Sequence, residues 1–270
     1  MTRALLALVV LGATAAGCGS DLGPASAPAV VPVRLRLVQG TPALATGARD
    51  AVDMVGARMV ADTSDADLVV TASPAAAAQA ARVNPGTHIL LVTPRPPQKL
   101  PPNVRAVQFD RGGMAYMAGA LAAVRARGVA VVEDGDDLED AFRAGTREAT
   151  GHASVSTVPC GGTTSAAVVY VPDPGCRPRG SAAAVIAPTR LTGADMLAVL
   201  GPRPAVVVAE AARSVQDGVF DPGVWLEGLR DDAIGFSWVS PALAPAGLDR
   251  LQHVEDRVRA ETAPVPPVAP

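Results

Sequence analysis

Aromatic side chains are scarce in this sequence, because phenylalanine, tryptophan and tyrosine together make up 3% of its 270 residues. Since 49% of the residues are hydrophobic, the core must be built mainly from alanine, valine and leucine. Lysine occurs once, at Lys99, and the formal net charge is −3. This balance gives no electrostatic argument for a nucleic acid partner, and we expect none.

Groups of catalytic or metal-binding residues are also lacking. The three histidines, His88, His152 and His253, are widely spaced, and no serine–histidine–aspartate, cysteine–histidine or paired-carboxylate pattern accompanies them. The glycine-rich turn at 161–164 lacks the lysine of a phosphate-binding loop. The acidic stretch at 133–137 lacks the full ligand spacing of a calcium loop. We therefore expect no enzyme, no cofactor and no metal site.

The N-terminus has the pattern of an export signal. A short segment with Arg3 precedes an apolar run at 4–13, which is too short to span a bilayer as a retained helix. Small residues then lead to Cys18, which resembles the bacterial lipobox, in which the cysteine becomes the lipid-bearing N-terminus. Ordinary secretory cleavage with an incidental Cys18 is the alternative. The sequence thus predicts a lipoprotein signal peptide at 1–17 and a flexible tether at 18–32, rich in Pro, Ala, Ser and Gly.

Two further cysteines, Cys160 and Cys176, lie sixteen positions apart in a segment rich in Gly and Pro. Outside the cytosol two thiols tend to oxidise, so we expect a disulfide between them. Metal binding is the rival interpretation, although no nearby His or Cys completes a ligand set.

A strand that runs directly into a helix is predicted at 103–119, and the rest of the chain is organised around it. Val104 to Phe109 are compatible with a strand, Asp110 can cap a helix, and Met114 and Met117 recur at helical spacing. In α/β folds, ligands bind where a strand end meets a helix N-terminus.

Strands and helices alternate on both sides of this stretch, which predicts mostly parallel sheets. Before it, strands are expected at 33–38, 68–71 and 88–92, with helices at 43–59 and 74–82. After it, strands are expected at 128–132, 155–158, 166–171, 182–187, 224–229 and 234–238, and helices at 138–149, 194–200, 205–215 and 246–262. We expect the strand at 234–238 to pair with the strand at 224–229 or to follow it in the same sheet.

Several blocks of the mature chain resemble, in order, the basic membrane protein family of substrate-binding lipoproteins. The blocks are D-L-V-V at 67–70, N-P-G at 84–86, N-V at 103–104, Y-M-A-G at 116–119, F-R-A-G at 142–145, Q-D-G-V-F at 216–220, W-L-E-G-L at 225–229 and I-G at 234–235. The resemblance covers most of residues 65–262.

The resemblance implies an α/β protein of the type I periplasmic-binding-protein kind, with two lobes, each a mostly parallel sheet flanked by helices. Lobe 1 is expected at 33–125 and 219–262, lobe 2, shortened, at 126–218, and a disordered tail at 263–270. The implied function is that of a lipid-anchored solute-binding protein on the extracytoplasmic face of the cell membrane. It would bind a small, nucleoside-like molecule and deliver it to an ABC permease.

The sequence departs from this family at several ligand-binding segments. The family has a D-x-S-F-N loop after its first strand, and residues 39–43 contain neither the aspartate nor the aromatic residue. The segments at 186–189 and 198–202 lack the family's acid and lysine. These losses support a second hypothesis, in which the lipoprotein has lost transport and acts as an envelope interaction or sensory module.

Four residues remain as candidate ligand contacts. Asp110 could accept hydrogen bonds from ribose hydroxyls or from a cationic group, or serve only as a helix cap. Arg111 could hold an anion, or be a solvated surface residue. Asp134 belongs to the acidic stretch, which is a cleft rim, a weak cation site or a solvated loop. Asp173 follows a strand and could face the cleft, or only shape the loop that contains Cys176.

Overall fold

A computed structural model of the chain describes residues 31–133, 138–151, 153–179 and 184–266. Cys18, Asp134, His152, the signal peptide and most of the tether lie outside the described residues. In chain order the main elements are β1 (Arg34–Val38), α1 (Pro42–Val55), β2 (Arg58–Met59), β3 (Leu68–Thr71), α2 (Pro74–Val83), β4 (His88–Val92), β5 (Val104–Phe109), α3 (Arg111–Arg125), β6 (Gly128–Val132), α4 (Glu139–Thr150), β7 (Ser154–Val158), β8 (Val168–Tyr170), β9 (Ala184–Ala187), β10 (Met196–Pro202), α5 (Pro204–Gln216), β11 (Gly223–Glu227), β12 (Ile234–Val239) and α6 (Pro245–Arg259). Within the described residues, no helix has the length and apolar character needed to cross a membrane.

The first sheet has the strand order β11-β5-β4-β3-β1-β2, and all of its strand pairs are parallel. One face packs against α1 and α5, with Leu68 and Leu90 fully buried in that layer. The other face packs against α2 through Val69 and Ile89. Because consecutive side chains of a strand point to opposite faces, burial on both faces explains the continuous apolar runs of these strands.

The second sheet has the order β12-β10-β9-β8-β6-β7, in which β12 is antiparallel to β10 and the other pairs are parallel. One face packs against α3 and α4, and α6 packs on those two helices. The opposite face holds Val132, Val169 and Ala187 and is covered by loop residues that include Leu191 and Cys176. Cys160 and Cys176 form the predicted disulfide, with a Cα–Cα distance of 4.7 Å. The disulfide therefore fixes a loop on the face of this sheet that no described helix covers.

Helices α3 and α4 touch backbone to backbone through two glycines. A Cβ atom at Gly119 would overlap the carbonyl oxygen of Phe142, and one at Gly145 would overlap the carbonyl oxygen of Tyr116. Gly119 thus makes room for the turn of α4 that carries Phe142, and Gly145 makes room for the turn of α3 that carries Tyr116. The Y-M-A-G and F-R-A-G blocks are a helix-packing pair in this fold, since only glycine permits such close approach.

The structure differs from the expected division into lobes in the placement of several elements. Helix α3, expected in lobe 1, packs on the second sheet; β12 is an edge strand of that sheet, and α6 packs against α3 and α4. Helix α5, expected in lobe 2, packs on the first sheet against α1. The chain therefore changes sheet at three points: after β5, after β10 and after β11. Amphipathic spacing predicts that a helix has an apolar face, but it does not identify the sheet that will cover it.

Three local predictions were wrong. Residues 194–200 were expected to be helical, but residues 196–202 form strand β10, whose interior is buried on both faces. Strand β12 pairs with β10 instead of β11, because the chain crosses to the second sheet before Ile234. The tail was expected to be disordered from residue 263, but Ala263 and Val265 pack against the core of the second sheet. Residues 267–270 lie outside the described residues.

Candidate functional site

The three changes of sheet lie side by side and are joined by backbone hydrogen bonds. The amide of Asp110, between β5 and α3, donates to the carbonyl of Glu227 at 2.9 Å. The amide of Arg203, between β10 and α5, donates to the carbonyl of Ala233 at 2.7 Å. The crossovers therefore form one connected hinge region between the two sheets.

Asp110 caps the first turn of α3, as the sequence predicted. Its Oδ1 accepts a hydrogen bond from the amide of Gly113 at 2.8 Å, which satisfies one of the free amides at the helix N-terminus. A Cβ atom at Gly113 would overlap the Asp110 carboxylate, and one at Gly228 would lie 3.6 Å from it. Glycines on both sides thus leave room for a carboxylate at the end of β5.

A cavity of about 480 Å³ opens beside this hinge. One side is formed by the end of β11 and the loop that follows it, and the other by the end of α6 and the segment after it. The lining residues are Asp110, Glu210, Trp225, Leu226, Glu227, Gly228, Leu229, Arg230, Asp231, Val258, Glu261, Ala263 and Val265. The cavity is therefore lined by elements that pack with both sheets.

Arg105 supports this cavity from within the first sheet. Its side chain is buried between the rings of Phe220 and Trp225, with the guanidinium carbon 4.6 Å from each ring centroid. Its Nε donates to the carbonyl of Asp221 at 2.9 Å, and its Nη1 lies 3.7 Å from Glu210 Oε1. The cation therefore fixes the Trp225 ring, which lines the cavity.

Glu227 is the buried acidic residue of the cavity. It is only 4% exposed and lines the cavity at the end of β11. Among the described residues, no hydrogen bond or ion pair reaches its carboxylate. Burial raises the pKa of Glu227 to about 7, with further contributions from the negative charges of Glu210 and Asp231, while Arg105 opposes the shift.

The remaining charges of the cavity are divided between paired and free groups. Arg230 forms an ion pair with Glu261, with an N–O distance of 2.5 Å. Asp231 accepts a hydrogen bond from the amide of Gly228 at 3.3 Å and makes no ion pair among the described residues. The cavity is therefore rich in uncompensated carboxylates. Nowhere in the described part of the chain do three or more His, Cys, Asp or Glu side chains converge in a way that could hold a metal ion.

The structure brings only part of the predicted site together. Asp110 lines the cavity, and Arg111 follows it in the first turn of α3. Asp173 does not line the cavity; its Oδ1 accepts a hydrogen bond from the amide of Gly175 at 2.8 Å, and its carbonyl accepts one from Cys176. Asp173 thus shapes the disulfide loop. Asp134 lies outside the described residues.

Sequence reasoning missed Glu227 and Arg105. The strand at 224–229 was expected to continue through Glu227, whereas β11 ends there and places the carboxylate at the hinge. Arg105 lies within the run V-R-A-V-Q-F, which was expected to form a strand. A charged residue in a buried strand was the sequence signal that could have identified it as part of the site.

No protein-family model matches the sequence, and no curated protein matches it. Solved structures do match. An ABC transporter solute-binding protein from Conexibacter woesei DSM 14684 is 17% identical, with 87% of this chain and 98% of that chain covered and a TM-score of 0.67. A transcriptional activator of the comK gene from Bacillus halodurans is 14% identical, with 86% and 99% covered and a TM-score of 0.66. An ABC transporter solute-binding protein from Aeropyrum pernix K1 is 15% identical, with 85% and 92% covered and a TM-score of 0.56.

The fold is that of the type I periplasmic binding proteins. At these identities the likeness establishes the fold alone, which solute-binding proteins share with a transcriptional activator. The three crossovers and the cavity beside them are therefore features of a fold that proteins of different function share.

Proposed function

We propose that the protein is a lipid-anchored, extracytoplasmic solute-binding protein of an ABC-type uptake system. The observation that carries the proposal is the cavity at the three sheet crossovers, where Asp110 and Glu227 lie on backbone that belongs to the hinge itself. In two-lobed proteins a ligand that contacts both lobes near the hinge favours the closed state. A permease would then recognise that state.

The anchor is the lipidated Cys18, which lies outside the described residues. The tether at 18–32 would let the folded part diffuse near the membrane, within reach of a permease. Replacement of this cysteine (Cys18→Ala) should release the protein from the membrane fraction. An unchanged membrane association in that variant would contradict the anchor but would leave the binding function open.

The ligand we propose is a small molecule of the nucleoside class. The resemblance to nucleoside-binding lipoproteins suggests it, and the chemistry of the cavity supports it. Carboxylates such as Asp110 accept hydrogen bonds from ribose hydroxyls, and Trp225 offers an aromatic surface to a base. A volume of about 480 Å³ is in the range of small-molecule pockets.

The second candidate is a lipoprotein that keeps the scaffold without transport. The threonine side chains at the ends of β3 and β4 favour this candidate, because their hydroxyl groups already accept hydrogen bonds from nearby backbone amides. Thr71 Oγ1 accepts from the amide of Ser73 at 3.1 Å, and Thr93 Oγ1 accepts from the amide of Arg95 at 3.4 Å. Side chains engaged in local turns are less available to a ligand.

A thermal-shift titration of the full chain with inosine, guanosine, adenosine and uridine separates the two candidates. A nucleoside present at about 100 times its Kd stabilises the folded state by about 2.7 kcal/mol. For a chain of this size, that corresponds to a Tm increase of about 5–10 °C. No shift with any of the four nucleosides would refute the nucleoside proposal.

The variant Asp110→Asn tests whether the charge of Asp110 contributes to nucleoside binding. Asparagine keeps the cap on α3, because its side-chain oxygen can still accept from Gly113, and it removes the charge. We expect it to reduce the nucleoside-induced shift. The control Asp173→Asn makes the same chemical change outside the cavity and should keep the full shift.

A further inference from the structure

The walls of the hinge cavity are strongly biased in charge. Five of its lining residues are acidic, and the single basic one, Arg230, is already paired with Glu261. The nearby Arg105 lies behind Trp225 and is held by the Asp221 carbonyl and Glu210. The carboxylates of Asp110, Glu227 and Asp231 therefore have no cation among the described residues within ion-pair distance.

Glu227 provides an independent sign that a ligand completes the site. Glu227 as a residue is only 4% exposed, and a carboxylate in such a position normally has a hydrogen-bond donor or a cation as its partner, because removal from water is costly. Glu227 has neither among the described residues, although its neighbours Asp110 and Asp231 each accept a backbone hydrogen bond. The cavity that this carboxylate lines has room for such a partner.

We propose that the hinge cavity binds the protonated amine or guanidinium group of a small organic cation, with Glu227 as its principal counter-charge. This assignment rests on the proposed solute-binding function and specifies the charge class of the ligand. An anionic ligand such as a nucleotide would be repelled by the three free carboxylates. A neutral ligand such as a nucleoside would leave the ionised form of Glu227 without a counter-charge, so the organic cation and the nucleoside are alternative ligands for this cavity.

The cavity fits an organic cation better than a metal ion. Its acids do not converge into a set of three or more metal ligands among the described residues. Its walls also contain apolar side chains, Trp225, Leu229, Val258 and Val265, that suit the carbon skeleton of an amine. An aromatic ring beside carboxylates is a favourable environment for an ammonium or guanidinium group.

Binding of the cation should be linked to the protonation of Glu227. The groups that face it are Glu210 on α5, Asp231 in the loop after β11, Asp110 at the start of α3 and the opposing Arg105 on β5. Since the pKa of Glu227 is raised to about 7, the carboxylate is largely protonated at lower pH. A cation that requires the ionised form would bind more weakly there and release a proton on binding.

Isothermal titration calorimetry of the full chain with matched four-carbon probes tests the assignment. Putrescine, 1,4-butanediol and succinate differ mainly in end-group charge, and agmatine adds a guanidinium group. We expect putrescine or agmatine to bind at least about tenfold more tightly than butanediol, with no binding of succinate. The affinity for the cation should be at least about tenfold lower near pH 6 than near pH 8.

The variants Glu227→Gln and Glu255→Gln remove the same charge at different places. Glu255 is paired with Arg259 on α6 and does not line the cavity. Glu227→Gln should weaken cation binding at least about tenfold, whereas Glu255→Gln should leave it unchanged. Equal weakening in both variants would mean a general charge effect and would overturn the assignment.

The outcomes for the two proposals are distinguishable. If inosine binds and neither putrescine nor agmatine does, the charge assignment fails and the solute-binding function stands. If none of the cations, the diol or the nucleosides binds, both fail. A cation affinity that is the same near pH 6 and pH 8 in the unmodified chain also overturns the role of Glu227, without recourse to a variant.

Discussion

Replacement of Glu227 by glutamine should remove a pH-dependent loss of stability. Glu227 is 4% exposed, and its pKa is raised from 4.5 to about 7 in the folded protein. Between these two values the folded state holds the proton and the unfolded state releases it. Because the folded state then binds more protons, its stability falls as the pH rises through this window.

The size of the effect follows from the two pKa values. At about pH 5 the carboxylate of the unfolded chain is mostly ionised, and the penalty for folding is about 0.8 kcal/mol. At about pH 8 the carboxylate is ionised in both states, and the penalty reaches about 3.4 kcal/mol. The unmodified protein should therefore lose about 2.5 kcal/mol through Glu227 between these pH values.

Glutamine keeps the shape of the side chain and has no charge to bury. The difference in stability between Glu227→Gln and the unmodified chain should thus grow by about 2.5 kcal/mol from pH 5 to pH 8, or about 5–10 °C in Tm. Other groups cancel in this difference. The pKa values of Asp67 and Glu139 are lowered in the folded state, so their contributions are already complete near pH 5.

Chemical denaturation at a series of pH values measures the difference directly. The control Glu255→Gln removes a half-buried, ion-paired acid outside the cavity and should not reproduce this growth of about 2.5 kcal/mol. A parallel pH profile for Glu227→Gln and the unmodified chain would show that Glu227 is solvated or paired in solution. That result would also remove the physical basis for its role as a ligand counter-charge.

Two further predictions concern the scaffold. Gly119→Ala should destabilise the protein by about 1–3 kcal/mol or more, because the new methyl group would overlap the Phe142 carbonyl. The control Gly86→Ala should destabilise it far less, because a Cβ atom there meets no atom within 4 Å. Equal losses of stability in urea denaturation would contradict the close contact between α3 and α4. A double Cys160→Ser, Cys176→Ser substitution should lower the free energy of unfolding by about 3 kcal/mol, since it frees a loop of sixteen residues. A reductant should lower the Tm of the unmodified chain and leave the Tm of the double variant unchanged.

The local elements were predictable where the sequence contains a local physical signal. Ser73 followed by Pro74 predicted the start of α2, and the structure shows the Ser73 hydroxyl accepting from the amide of Ala76. Asp110 predicted the cap of α3 in the same way. Cys160 and Cys176 were the remaining pair once Cys18 was set apart for lipidation. Each of these signals acts between residues close in sequence or through a residue type with few alternatives.

The ambiguous elements were those whose apolar pattern fits two structures. Residues 194–200 were expected to lie in a helix, but the short apolar run at Leu197 to Leu200 belongs to the buried strand β10, which has layers on both sides. Periodicity cannot separate a buried strand from a buried helix segment of this length. The pairing partner of β12 was missed for a related reason, since the chain changes sheet between Glu227 and Ile234 without a local signal.

The sequence by itself determined the fold class, because the alternation of apolar strands and amphipathic helices leaves few arrangements other than parallel sheets with helical layers. It also predicted the caps of α2 and α3 and the disulfide. Only the tertiary structure decided the candidate site, because Arg105, Glu210 and Glu227 come from three separate segments that meet where the chain crosses between sheets. The burial that makes Glu227 distinctive is a property of that meeting point, and no stretch of sequence contains it.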